Sequence, residues 1–540
     1  MERTTRDRWL GRAFLALLCA TVFAQAWLSL RNKSLTFDEV TYIPAGYSYV
    51  VTGDYRLNPE HPPLPKLLAG VALLPLGPRL DTSHPAWVEP DQWSFGRDFF
   101  ERSDVDVERM VRAARLPTVL LTMLLVVGAF GLAGELYGRR AGFVAATLCA
   151  FSPTLLAHGR LATNDLPLAC FVLLTVLACV RFSRRPSVGN LVLAGGALGL
   201  ALLTKFNAVL LLGLIPLWLV GLAIPEGRLS VPDARPLRAV RGARPRRVVF
   251  ALASATAIVL VGALVVGLGY GTPGRIGPYL EGLRVLYTNV HLGMPAYFNG
   301  SFHPDGLPYY FLAAFALKTP TPALALLGLR AGDQIARRDW DLASALFIVV
   351  PVVLWFVVIS ATALPFGVRY VLPAYPLLFV YAAGIVASPT FERAWMRGAV
   401  WALVALFALA SLRAHPHYIP YFNLIAGGPE RGIEWLDDSN VDWGQDLPLL
   451  RAYLEGRGNP QVTIAPMAWY DPAIYGIRGR VVEPAEMVRL LADPDAPAGV
   501  YVASAHLLAR GRYGASRTFD PLRDLEPVAI LGHSIYVFER

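Results

Sequence analysis

Phe37-Asp38-Glu39 places two adjacent carboxylates directly behind the first apolar segment of the chain, and a third acid, Asp165, sits in Leu161-Ala-Thr-Asn-Asp-Leu-Pro167 beside a later one. Adjacent residues do not share a helix face, so one acid of the pair points into any site and the other supports it. Loop acids at a helix end cost little and are often merely solvated. An acid set tight against hydrocarbon is different, because it is expensive unless it lines a polar cavity; Asp165 is such a residue. Basic groups accompany the acids: His61 and Lys66 in Glu60-His-Pro-Pro-Leu-Pro-Lys66, then Arg115, Lys205 and Arg369, each near an apolar segment. Taken singly, lysine and arginine at such positions snorkel to the interface. Converging on the acids, they form an anion pocket beside a general base. That combination suits a reaction in which a base takes a proton from a hydroxyl while cations stabilise a departing phosphate. A rival use is a divalent cation held by Asp38, Asp165 and His61. Asp104-Val-Asp106 spells a short acidic motif of nucleotide-sugar enzymes, but three-residue matches arise often by chance.

The elements that must position these groups are set by composition. Apolar residues make up 55% of the 540 and charged residues only 16%, and mean hydropathy is +0.45. Soluble domains carry about 25% charged residues. The excess lies in blocks at 10–30, 117–135, 141–156, 166–180, 191–203, 208–222, 248–270, 309–329, 343–364, 371–386 and 400–412. A helix of roughly 20 apolar residues crosses a bilayer, so the chain reads as a polytopic α-helical membrane protein with about eleven spans. The first block, long for a signal peptide and lacking a clear cleavage site, is a retained helix.

Arginine placement sets the orientation. With the N-terminus cytoplasmic, Arg139 and Arg140, then Arg181, Arg184 and Arg185, then the run from 228 to 247, then Arg330, Arg337 and Arg338, then Arg393 and Arg397 all fall on the inner side. Adding or removing one span breaks this alternation. The formal charge of +9 is therefore a topology signal and not a nucleic-acid face. Cys19, Cys149, Cys170 and Cys179 all lie in apolar segments, where packing is their ordinary role.

Four parts follow: a first transmembrane helix at 1–30, an outer loop at 31–114 carrying acids and an interfacial helix near 64–76, a bundle at 115–412, and an extracytoplasmic mixed α/β domain at 413–540. Weaker substrate-contacting candidates are His291 in His291-Leu-Gly-Met-Pro-Ala-Tyr-Phe-Asn-Gly300, Tyr309, and Trp435 and Asp442 in Trp435-Leu-Asp-Asp-Ser-Asn-Val-Asp-Trp-Gly-Gln-Asp446. Aromatic residues at such depth also form interfacial belts, and the acidic stretch also reads as a capped turn before Leu447.

The acidic pair after the first helix, His61-Pro-Pro-Leu-Pro-Lys66 in a long outer loop, Asp165 in the next outer loop, and Arg369-Tyr-Val-Leu-Pro-Ala-Tyr-Pro376 together resemble the GT-C superfamily of protein O-mannosyltransferases and aminoarabinose (lipid A) transferases. The resemblance runs through 10–412; Pro65 stands where the family form usually has glycine, which alters only local backbone. It implies an inner-membrane glycosyltransferase of GT-C fold. Such an enzyme moves a sugar, with inversion, from a polyprenyl-phosphate donor to a hydroxyl of a protein, glycolipid or polysaccharide on the extracytoplasmic face, with no metal required. It also implies Asp38, Glu39 and Asp165 as catalytic carboxylates and His61, Lys66, Arg115, Lys205 and Arg369 as the donor-phosphate cradle. A multi-span transporter and a non-catalytic envelope scaffold are the alternatives from other classes. Acids gathered on one face and two large outer segments count against the transporter.

Overall fold

The computed structural model describes residues 2–224, 244–290, 295–362, 364–513 and 525–540. Every apolar block named above is helical. Among the described residues seven helices are long and apolar enough to cross a membrane: Trp9–Leu30, Val107–Tyr137, Asp165–Arg184, Phe206–Ala223, Pro245–Gly269, Leu342–Thr362 and Ala394–Ala414. Three blocks form shorter helices, Arg139–Ala150, Val188–Leu202 and Ala374–Ala387, so fewer helices than the expected eleven cross by length alone.

The block at 309–329 departs from the single span expected of it. It breaks into Tyr310–Lys318 and Thr321–Arg337, bent by 111°. The cause is local: Pro320 and Pro322 follow Thr319, whose backbone is extended at φ −95°, ψ 128°. Proline has no N–H to give the helix and drives the residue before it out of the α region. The elbow is then filled from elsewhere in the chain, because buried Lys318 donates through Nζ to Ile419 O and Asn440 O, both at 2.6 Å.

Close helix contact rests on small residues. A Cβ at Gly195 would lie 2.5 Å from Val261 Cβ, so Val188–Leu202 and Arg244–Gly269 meet through glycine. In the first loop Glu39–Thr52 and Leu64–Leu73 cross in backbone contact, where a Cβ at Gly46 would lie 1.9 Å from Lys66 O. The crossing brings the acidic pair and the His61 loop to one place.

The tail carries a five-stranded mixed sheet. Strands β1 (Val462–Ala465), β2 (Gly479–Val481), β3 (Val500–Ser504), β4 (Ala529–Leu531) and β5 (Ile535–Glu539) are ordered β2-β1-β3-β5-β4. The β1 pairings with β2 and β3 are parallel; those of β5 with β3 and β4 are antiparallel. Its apolar face does not close on itself. Leu447, Leu450, Ile464 and Val537 share one buried cluster with Leu35, Val40, Ile43 and Phe99 of the first loop. The two outer segments therefore form one layer capping the bundle.

Candidate active site

Asp38 stands at the first turn of the helix Glu39–Thr52, and the two acids diverge as their adjacency requires. The Asp38 side chain is 18% exposed, and its Oδ2 accepts from Arg369 Nη1 at 2.5 Å. Glu39 is fully buried and points the other way, into a two-pronged pair with Arg115: Nε to Oε1 at 2.8 Å and Nη2 to Oε2 at 2.6 Å. Glu39 also accepts from the backbone N–H groups of Thr36 and Ala162, at 2.9 and 2.8 Å. Ala162 lies just before Asn164 and Asp165. Glu39 and Arg115, expected as catalytic acid and phosphate ligand, are thus a clamp that fixes the Asp38 turn against the Asp165 loop. Removing one partner of such a buried pair strands the other charge. We expect Glu39→Gln to cost about 3–5 kcal/mol of folding stability, read as a lowered unfolding midpoint of the detergent-solubilised protein.

Asp165 opens the helix Asp165–Arg184. Its Oδ1 accepts from Lys205 Nζ at 2.7 Å, and its Oδ2 lies 3.8 Å from Arg369 Nη1 without a hydrogen-bond partner. Arg369 therefore stands between the two acids. Its guanidinium lies over the Trp443 ring at 4.3 Å and near Tyr370 at 5.3 Å, and Lys205 Nζ lies 4.3 Å above Tyr370. Aromatic faces on this side and carboxylates on the other hold both cations in place. Arg369 Nε has no partner among the described residues, so donor capacity remains for an incoming anion.

Tyr42 and His61 complete the cluster, with ring centroids 5.3 Å apart. Asn164 Nδ2 donates to the Tyr42 hydroxyl at 3.2 Å. Burial, then the charges of Asp38 and Asp165, push the Tyr42 phenol well above its usual range, so it stays protonated. Burial, then the cations Lys205 and Lys66, hold the His61 imidazole well below its usual range. His61 is therefore neutral, a hydrogen-bonding group for a phosphate or sugar and not a charge; its Nδ1 is buried and unpartnered.

Lys66 departs from the phosphate role expected of it. It is 2% exposed, and Nζ donates to Asn58 O and His61 O at 2.7 Å and to Tyr49 Oη and Asn58 Oδ1 at 3.0 Å. An ammonium has three protons, and these acceptors exhaust them. Lys66 shapes the loop that carries His61.

The weaker candidates Tyr309 and Trp435 make their contacts outside the cluster. Tyr309 is half exposed beside Phe298, and the Trp435 indole N–H donates to Ala426 O at 3.0 Å, which marks both as packing groups. Asp442 is buried in the tail and accepts from Gly444 N–H at 2.9 Å. His291 lies outside the described residues. Among the described residues no three His, Cys, Asp or Glu side chains gather as a metal-binding group, and Asp38, Asp165 and His61 face cations instead of one another. Sequence reasoning missed Tyr42, Tyr370 and the Trp443 face. Aromatic residues are common at interfaces, and nothing in their spacing distinguishes these three.

The fold has counterparts among solved structures. ArnT from Cupriavidus metallidurans in the apo state is 14% identical, with a TM-score of 0.50 over 97% of this chain and 98% of that one. The same protein bound to undecaprenyl phosphate gives 15% identity and a TM-score of 0.46 over 97% and 98%. The apo oligosaccharyltransferase of Archaeoglobus fulgidus gives 13% and 0.46 over 93% of this chain and 71% of that one. In sequence, residues 108–230 match the family model described as dolichyl-phosphate-mannose-protein mannosyltransferase. No curated protein matches the chain in sequence.

Helical bundle, acid-bearing first loop and capping α/β tail together are the GT-C fold of membrane glycosyltransferases. The segment matched by the mannosyltransferase family model spans the helices that carry Arg115 and Asp165.

Proposed function

We propose that this chain transfers a sugar from a polyprenyl-phosphate donor to a hydroxyl acceptor, a protein, glycolipid or polysaccharide, on the face of the membrane where its first loop and tail lie. Arginine alternation makes that face extracytoplasmic and the N-terminus cytoplasmic in a plasma (inner) membrane. The observation that carries the reading is the shared cation: Arg369 spans Asp38 and Asp165, with Lys205 behind it.

In this reaction Asp38 takes the proton of the acceptor hydroxyl as its oxygen bonds to the anomeric carbon. The bond from that carbon to the phosphate oxygen breaks, and the electron pair leaves with the lipid phosphate. Attack opposite the leaving group inverts the anomeric centre. Arg369 and Lys205 neutralise the phosphate, supplying the positive charge that a metal ion supplies elsewhere; no metal is required in this reading. Asp165 keeps Lys205 and Arg369 aimed. A donor phosphate competes with Asp38 for Arg369, which frees Asp38 as base when the donor is in place.

Undecaprenyl phosphate and undecaprenol differ only in the phosphate, so their relative binding to the purified full-length protein tests the cradle. Titration followed by native mass spectrometry should show preference for the phosphate by about tenfold or more, lost in Arg369→Ala. Equal binding of the two lipids by the wild type would contradict the reading.

A further inference from the structure

We propose that the tail segment Asp437–Asp446 is a positioning element of the active site, in which Trp443 holds the Arg369 guanidinium for the donor phosphate. The inference rests on the phosphate cradle described above and adds to it residues far away in sequence.

The segment is tied on both sides to the strands of chain that carry the reacting groups. Toward Asp38, the Phe37 N–H donates to Trp443 O at 2.9 Å, the Ser34 N–H donates to Gln445 O at 2.9 Å, and the Leu447 N–H donates to Ser34 Oγ at 3.1 Å. A buried Lys33–Asp446 ion pair closes that side. Toward Arg369, the Val368 N–H donates to Asn440 Oδ1 at 3.0 Å and the Ser439 hydroxyl donates to Phe366 O. Gly367 lies between these bonds at φ 120°, and a Cβ there would lie 2.5 Å from Ser439 Oγ. Any side chain at 367 would push the two segments apart. A third tie comes from the broken helix, through Lys318 Nζ to Asn440 O and Asn440 Nδ2 to the Tyr310 hydroxyl at 3.1 Å. The distance between Asp38 and Arg369 is thus set by one short piece of the tail.

One side chain of that piece acts on Arg369 directly. The Trp443 indole, 1% exposed, lies under the guanidinium at 4.3 Å. Asp438 takes a left-handed backbone at φ 54°, unusual for a residue with a side chain. The surrounding bonds hold that turn, and with it the segment that carries Trp443: Ser439 N–H donates to Asp438 Oδ1 at 2.6 Å, and the Asp438 N–H donates to His506 Nδ1 at 3.2 Å. With the indole as its floor, the guanidinium can exchange Asp38 for a phosphate without leaving the site.

The test uses the full-length protein and measures the ratio of undecaprenyl phosphate affinity to undecaprenol affinity. A purely structural defect lowers both affinities and leaves their ratio unchanged. Trp443→Ala and the bulkier Trp443→Leu should lower the ratio about tenfold, while Trp443→Phe, which restores a π face, should keep it within about threefold of wild type. Ser439→Ala, which removes the bond to Phe366 O that ties the segment beside Arg369, should lower it about threefold and decides the matter if the Trp443 variants do not fold. A wild-type ratio in Ser439→Ala and in every Trp443 variant that folds, with the ratio lost in Arg369→Ala, would overturn the strap and leave the cradle standing. A wild-type ratio in Arg369→Ala as well would instead overturn the cradle.

Discussion

Asp38→Asn is expected to lower turnover by about a hundred- to ten-thousand-fold while leaving donor binding near the wild-type level, the loss that follows when a positioned base is removed. The geometry argues for this residue over its neighbour. Asp38 is partly exposed and has a partner that a phosphate can take away, whereas both oxygens of the fully buried Glu39 are committed to Arg115, Thr36 and Ala162. Asparagine has nearly the same shape, so the clamp behind it persists. Donor-dependent sugar transfer in proteoliposomes would measure the effect. A variant that folds, binds donor and turns over normally would move the base elsewhere.

Arg369→Ala should cost about a hundred- to a thousandfold in turnover and weaken donor binding as well, because it removes the group that meets the leaving phosphate and leaves Asp38 facing Asp165 without a shared cation. Lysine restores the charge and not the flat two-pronged donor, and its ammonium is a poor match to an indole floor shaped for a guanidinium. Arg369→Lys should therefore recover only part of the loss. Full recovery would mean that charge alone matters and that the Trp443 face is packing.

Asp165 stands out in the sequence because an acid beside hydrocarbon is costly and so carries information wherever it occurs, whereas Asp38, Lys205 and Arg369 stand out only by converging on it and by the family resemblance. Direction was not legible. Lys66 and Arg115 have the same composition signal as Arg369, but one is spent on loop carbonyls and the other on Glu39, and neither partner is visible in linear order. Spacing alone divides the acidic pair into one inward and one supporting residue without telling which is which, and only the family resemblance points to Asp38 as the base. The break at 319–320 was written in its prolines and hidden by the apolar run around them. One apolar face of the tail sheet closes on the first loop, across about 400 residues of chain, a pairing that periodicity within either segment does not encode.

Lipid-linked donors accumulate when their consumer is disabled, which makes the donor pool the most direct test of the central claim. Polyprenyl-phosphate sugars would be quantified by mass spectrometry of membrane lipids from cells carrying the wild-type protein, Asp38→Asn and a deletion. A single glycosyl-phosphoprenol that rises equally in the deletion and in Asp38→Asn cells is the predicted result, and its mass would name the sugar. An unchanged pool in both, with Asp38→Asn stably present in the membrane, would contradict the transferase account and favour a transporter or a scaffold.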